Sequence, residues 1–127
     1  MALILDTNAL SAFADGDTAI ESIVRRAQEI AIPAVVLGEY RFGIAQSRQK
    51  KSYEKWLEQS LGEFRVLAVD EQTSRKYASL RLELKKMGKP IPSNDLWIAA
   101  LTRQHALRLL SRDRHFDDVP GLMRIEW

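Results

Sequence analysis

The chain opens with Ala2-Leu3-Ile4-Leu5, four apolar residues in succession, and then stops on Asp6-Thr7-Asn8. A short, unbroken apolar run closed by a polar turn is the pattern of a strand covered on both faces, as inside a parallel sheet. That feature constrains everything after it, because parallel neighbours are reached only through crossover connections, usually helices. In open sheets of this kind, ligands bind in the crevice beyond the carboxyl ends of the strands. Asp6 therefore stands where chemistry is expected, and each later element is read by what it brings there.

Ala9 to Phe13 suits a short helix, followed by the turn signal Asp15-Gly16-Asp17. Asp17 or Thr18 can cap a helix reaching about Gln28, with Ile20, Ile23, Val24 and Ala27 on one face and Glu21, Arg25 and Arg26 on the other. Glu29 to Ile32 reads as a second strand ended by Pro33, which completes a βαβ unit. Pro33 also suits the start of a helix from Ala34 to Gln46, where Val36, Glu39, Tyr40 and Gly43 share a stripe. Glutamate is almost never fully buried unless paired, so Glu39 is either a boundary ion pair with Arg41 or Arg48 or a functional acid.

Ser47 to Ser60 forms a polar amphipathic helix carrying Arg48, Lys50, Lys51 and Lys55 near Tyr53 and Trp56. Such interleaving can contact RNA, and it equally describes a solvated face with Trp56 and Leu57 packed inward. Phe64 to Val69 alternates as a third strand, and Asp70 caps the longest helix, Glu71 to Met87, which Gly88-Lys89-Pro90-Ile91-Pro92 ends. Ser93 is expected to cap the next helix, whose first residues are Asn94 and Asp95. Leu96 to Leu101 follow, apolar on every side and hence central. Asp95 in a first turn has a complete structural explanation in the helix dipole. Leu107 to Leu110 makes a fourth strand, and Ser111-Arg112-Asp113 repeats after it the arrangement of Asp6. Arg124 to Trp127 suits a last strand at an edge. His105 reads as a helix C-terminal residue and His115 as a turn residue near the site.

Two strand-end acids and two acids on flanking helices converge on one sheet end in this reading. Close carboxylates repel unless they are protonated or bridged by a cation. There is no cysteine and there are only two histidines, so an oxygen-only donor set favours Mg²⁺ or Mn²⁺ over zinc. Setting these four aside leaves 13 of the 17 acids against 19 lysines and arginines, an acidic pocket in a basic collar suited to a polyanion. The length of 127 residues suggests one domain, 1–127. With no apolar run long enough to span a bilayer and no signal-like N-terminus, residence in the cytoplasm and no membrane partner are expected.

Leu5-Asp6-Thr7-Asn8, Gly38-Glu39, Ser93-Asn94-Asp95-Leu96-Trp97-Ile98-Ala99-Ala100 and Leu110-Ser111-Arg112-Asp113-Arg114-His115-Phe116 resemble the successive signature blocks of the PIN-domain nucleases, most closely the VapC-type toxins of bacterial toxin–antitoxin pairs. Val119-Pro120-Gly121-Leu122 extends the resemblance over nearly the whole chain. It implies a three-layer α/β/α PIN-like domain with a short, mostly parallel central sheet and a Mg²⁺- or Mn²⁺-dependent endoribonuclease. By position, Asp6, Glu39, Asp95 and Asp113 match the family's metal-binding acids, Asn8 a small polar residue of the pocket, and Ser111 the hydroxyl that precedes the last acid by two. Asp117 stays outside this set.

The resemblance further implies hydrolysis by a metal-bound water, with a 5′-phosphate and a 3′-hydroxyl as products and structured RNA, often transfer RNA, as substrate. It implies a homodimer inhibited by a cognate VapB-type antitoxin, with operator DNA bound only through the antitoxin. Two alternatives stand beside it. Aspartyl-phosphate phosphatases also begin with a strand ending in Asp, but they need a second acid where this chain has Asn8, and a later lysine where none follows Lys89. A non-catalytic subunit of a repressor complex would keep the fold without needing the acids.

Overall fold

In the computed structural model, which describes residues 1–127, the opening apolar run is the middle strand of a five-stranded sheet ordered β3-β2-β1-β4-β5. The strands are β1 (Ala2–Leu5), β2 (Glu29–Pro33), β3 (Arg65–Leu67), β4 (Arg108–Leu110) and β5 (Arg124–Ile125). Every pairing is parallel, with Ile4 opposite Ala31 on one side and Leu109 on the other. Successive strands are joined through α1 (Thr7–Ala14), α2 (Thr18–Arg26), α3 (Ala34–Ala45), α4 (Lys50–Ser60), α5 (Glu71–Lys86) and α6 (Ser93–Gln104). Two short 3₁₀ turns, Leu61–Glu63 and Arg114–Asp118, complete the order.

From β1 the chain builds outward through β2 to β3, then returns to lay β4 and β5 on the other side. The order therefore reverses between β1 and β4, a switch point of the kind at which open sheets bind ligands beyond the carboxyl ends of the strands. Leu3, Ile4 and Leu5 are all fully buried, as a central strand covered on both faces requires. They belong to one cluster of 28 buried apolar residues that includes Leu80 and Leu84 of α5 and Ile98 and Leu101 of α6. Leu84→Ala is expected to cost about 3 kcal/mol, the lost transfer energy plus a residual cavity. Urea unfolding should show it as a lower midpoint at unchanged slope, and a loss below about 1 kcal/mol would contradict this packing.

Several boundaries differ from the sequence expectations. α1 begins at Thr7 rather than Ala9, because Asp6 is itself the N-cap and its Oδ1 accepts the Ala9 N–H at 2.9 Å. Strand passes into helix with no loop between. Ser93 is the first helical residue and not the cap; Pro92 holds the cap position without a side-chain bond. α4 starts at Lys50 rather than Ser47, whose Oγ accepts the Gln49 N–H and keeps that segment in a turn. β3 is shorter than expected, since Phe64 turns away to pack edge-on to Phe13. Trp56 and Leu57 do pack inward, Trp56 against Phe13 and Tyr40. α5 ends as anticipated: Gly88 takes a φ of +70° and the Lys89 N–H returns to the Leu84 carbonyl at 2.9 Å.

Candidate active site

β1 and β4 lie side by side at the switch point, and each runs out on a polar residue. Ser111, the first residue past β4, is fully buried. Its hydroxyl donates to Asp6 Oδ2 at 2.5 Å and accepts the Asp113 N–H at 3.0 Å. One hydroxyl thus ties together the two strand-end acids. Asp6 Oδ1 is held by α1, so both of its oxygens are fixed.

α6 brings Asp95 to the same sheet end from its first turn. Asp95, Asp113 and His115 each offer an atom lying within 4.8 Å of the other two. His115 Nε2 is 2.8 Å from Asp95 Oδ2. The turn that carries His115 is anchored by Phe116, which is fully buried, and by Arg124 of β5. The Arg124 guanidinium grips both carboxylate oxygens of Asp117, at 2.8 and 2.9 Å, and donates to the Ser111 carbonyl at 3.0 Å.

Glu39 approaches from α3. It is exposed rather than part of the buried stripe, which consists of Val36, Leu37, Tyr40 and Ile44. Its electrostatic neighbour is Asp95, not Arg41 or Arg48. Asn8 is exposed in the first turn of α1 and joins no hydrogen bond with the acids. His105 caps the far end of α6, away from Asp95.

The carboxyls record their crowding. Burial pushes Asp6 above the ordinary carboxylate range, and the charges of Asp113 and Asp95 add to the shift; Ser111 and the Ala9 N–H oppose it. Burial likewise raises Asp95, with Asp113 adding to the rise and His115 opposing it. Glu39 is raised by burial and then by Asp95, against the Thr7 hydroxyl beside it. An acid held above its unfolded value binds its proton more tightly when folded. Its stabilisation is present below the ordinary range and is lost as pH rises through the raised value. Asp70 and Asp117, held low by Thr73 and by Arg124, act in the opposite sense, but only below the ordinary range. Thermal melts of the chain in chelator should therefore show a melting temperature that falls as pH rises above the ordinary carboxylate range. A rise there would contradict the crowding.

Neither His115 as a donor nor Arg124 as an anchor is among the residues the sequence singles out. The signal for His115 was its position two residues past a strand-end acid, ahead of a large aromatic. No local signal marks Arg124, because its partners lie 7 and 13 residues away.

A parallel sheet between helical layers, with Asp6, Asp95 and Asp113 at its switch point and Glu39 coupled by charge to Asp95, defines an α/β/α protein that concentrates negative charge at one sheet end. Comparison with known proteins identifies it further. Residues 3–122 match the PIN domain. The VapC ribonuclease Y4jK of Sinorhizobium fredii is 30% identical over 130 residues, 94% of this chain and 93% of its own length. Ribonuclease VapC5 of Mycobacterium tuberculosis is 29% identical over 97% of this chain and 91% of its own. The crystal structure of VapBC-5 from that organism, a member of the VapBC family of toxin–antitoxin systems, aligns with a TM-score of 0.73 at 29% identity, covering 98% of this chain and 96% of that one. VapBC2 from Rickettsia felis, solved bound to a fragment of promoter DNA, gives a TM-score of 0.89 at 24% identity over 100% and 99% of the two chains, a likeness of fold. The chain belongs to the PIN-domain family and, within it, to the VapC ribonuclease toxins. Its sheet is parallel throughout, where the resemblance implied only mostly so. No helix is long and apolar enough to cross a membrane.

Proposed function

We propose that Asp6, Glu39, Asp95 and Asp113 hold a divalent cation, Mg²⁺ or Mn²⁺, and that the chain uses it to hydrolyse phosphodiester bonds in structured RNA, transfer RNA foremost, and so halts translation. The observation that carries this reading is the gathering of Asp6, Asp95 and Asp113 at the switch point, with Glu39 coupled by charge to Asp95. Asp6, Glu39 and Asp95 are held above their ordinary range by burial first and by neighbouring carboxylates next. A cation relieves both penalties.

The donor chemistry fits such an ion. Carboxylate oxygens suit Mg²⁺ and Mn²⁺, and His115 Nε2 is a buried polar atom without an aligned hydrogen-bond partner. Bound there, a divalent cation supplies activation of water and neutralisation of charge on the phosphate. The chain's part is position. Asp6 is immobilised between the Ala9 N–H and Ser111, and Ser111 sets the backbone entering Asp113. Asp95 gains from the helix N-terminus, where unpaired N–H groups favour negative charge. Glu39, the most exposed of the four, faces the side from which substrate enters. Asn8, also exposed, offers a polar contact at the pocket mouth, and Ser111 acts through Asp6 and Asp113.

Over the whole surface, all lysines and all arginines except Arg103 and Arg124 are exposed, a surface suited to gathering an RNA backbone. The VapBC relatives support a cognate VapB-type antitoxin, with operator DNA contacted only through it; to this we add a homodimer and a basic antitoxin side chain entering the acidic crevice. We assign residues 1–127 to one PIN-like nuclease domain acting in the cytoplasm. The test is incubation of antitoxin-free protein with total transfer RNA, with Mg²⁺ or Mn²⁺ and with EDTA. Discrete, metal-dependent cuts are expected. Folded, metal-loaded protein that cuts no RNA would overturn the nuclease reading and favour a subunit that only binds.

A further inference from the structure

We propose that His115 is a direct ligand of the cation through Nε2, which makes the site a mixed nitrogen–oxygen centre selective for Mn²⁺ over Mg²⁺. This rests on the reading of the four acids as a cation site and adds a donor and a metal preference to it.

The His115–Asp95 contact is close but poorly aligned. Nε2 lies 2.8 Å from Asp95 Oδ2, a hydrogen-bond distance. Yet Nε2, shielded from solvent, makes no well-aligned hydrogen bond there, and the contact acts on Asp95 mainly through charge. An ordinary histidine–aspartate pair aligns the two. A different arrangement accounts for closeness without alignment. Two donors on adjacent vertices around an ion, each about 2.1 Å from it at right angles, stand about 3.0 Å apart, and donors on opposite vertices about 4.2 Å. The Nε2–Oδ2 separation matches the first. The mutual 4.8 Å limit among Asp95, Asp113 and His115 accommodates both.

The ring is also held in place as a ligand must be. Its chain neighbour Phe116 is fully buried, with ring centroids 4.7 Å apart, and Arg124 clamps Asp117 two residues on. The backbone around His115 is thus fixed on both sides of the turn. Imidazole is a common partner of later first-row metals, whereas Mg²⁺ keeps to carboxylate, carbonyl and water oxygens. A nitrogen donor therefore tilts the site away from Mg²⁺ and towards a transition ion, of which Mn²⁺ is the one that also suits the carboxylate oxygens.

Electron spin-echo envelope spectroscopy of Mn²⁺ added to the metal-free chain tests this without reference to activity. The expected result is a ¹⁴N coupling from a bound imidazole, retained in His105→Gln and lost in His115→Gln. Since the chain has only two histidines, the pair of variants assigns the nitrogen. Titration calorimetry should show His115→Gln weakening Mn²⁺ binding by at least about tenfold and Mg²⁺ binding much less. Circular dichroism checks that each variant is folded. Mn²⁺ bound in an Asp95-dependent way but with no nitrogen coupling would overturn the ligand assignment and leave the cation site standing. No Mn²⁺ binding, or binding untouched by Asp95→Asn, would overturn the cation site as well.

Discussion

Asp6→Asn is expected to lower RNA cleavage by at least about 10³-fold, and at the same time to raise the melting temperature of the metal-free chain by about 2–4 °C. The two effects have one cause. Asp6 is 3% exposed, and its ionised form is penalised by burial and by the charges of Asp113 and Asp95. Asparagine removes that charge and keeps the shape. Its Oδ1 can still accept the Ala9 N–H, and its amide can donate to the Ser111 hydroxyl, which has acceptor capacity to spare. What the neutral side chain cannot do is offset a divalent cation. Steady-state cleavage of labelled RNA and a thermal melt in EDTA read the two halves. Loss of activity accompanied by a lower melting temperature would indicate that the carboxylate is structural, and would contradict the account.

Arg124→Ala should cost about 10²-fold in cleavage although Arg124 touches none of the four acids, because loosening a catalytic group by about an ångström has effects of that size. Its guanidinium bridges Asp117 in the turn and the Ser111 carbonyl beyond β4, so it fixes the segment carrying Asp113 and His115 from both ends. Arg124→Lys should restore little. A lysine head is a compact point charge and cannot make the paired contact to a carboxylate while also reaching a carbonyl. Because the effect is on position, the turnover rate should fall more than RNA affinity, and Mn²⁺ affinity should fall with it. Cleavage within about threefold of the parent would show that the turn holds its shape without this clamp.

How much of this was legible beforehand follows from how local each feature is. Ala2 to Leu5 could be read because a strand buried on both faces leaves an unbroken apolar run, and Asp6 and Asp113 because each interrupts such a run at its carboxyl end. Asp95 was placed in a first turn by the apolar residues that follow it. The capping role of Asp6 was not legible, since Asp-Thr-Asn is equally a turn, and the direct passage of strand into helix depends on β4 supplying Ser111. Spacing alone puts Glu39 on a stripe with Val36 and Tyr40, but Tyr40 and Ile44 take the buried face and leave Glu39 exposed and coupled to Asp95. Ser93 looked like a cap by residue type, yet Pro92 already has the extended backbone that the cap position needs. His115 and Arg124 act across space, through partners that no window of neighbouring residues contains.

The ends the reaction leaves decide whether these acids serve metal-dependent hydrolysis of RNA. Transfer RNA cut by antitoxin-free protein in Mn²⁺ should carry 3′-hydroxyl and 5′-phosphate ends, with no product in EDTA or from Asp95→Asn. Ends bearing 2′,3′-cyclic phosphate, formed equally in EDTA, would show that cleavage proceeds through the ribose hydroxyl without a metal, and the account would be wrong.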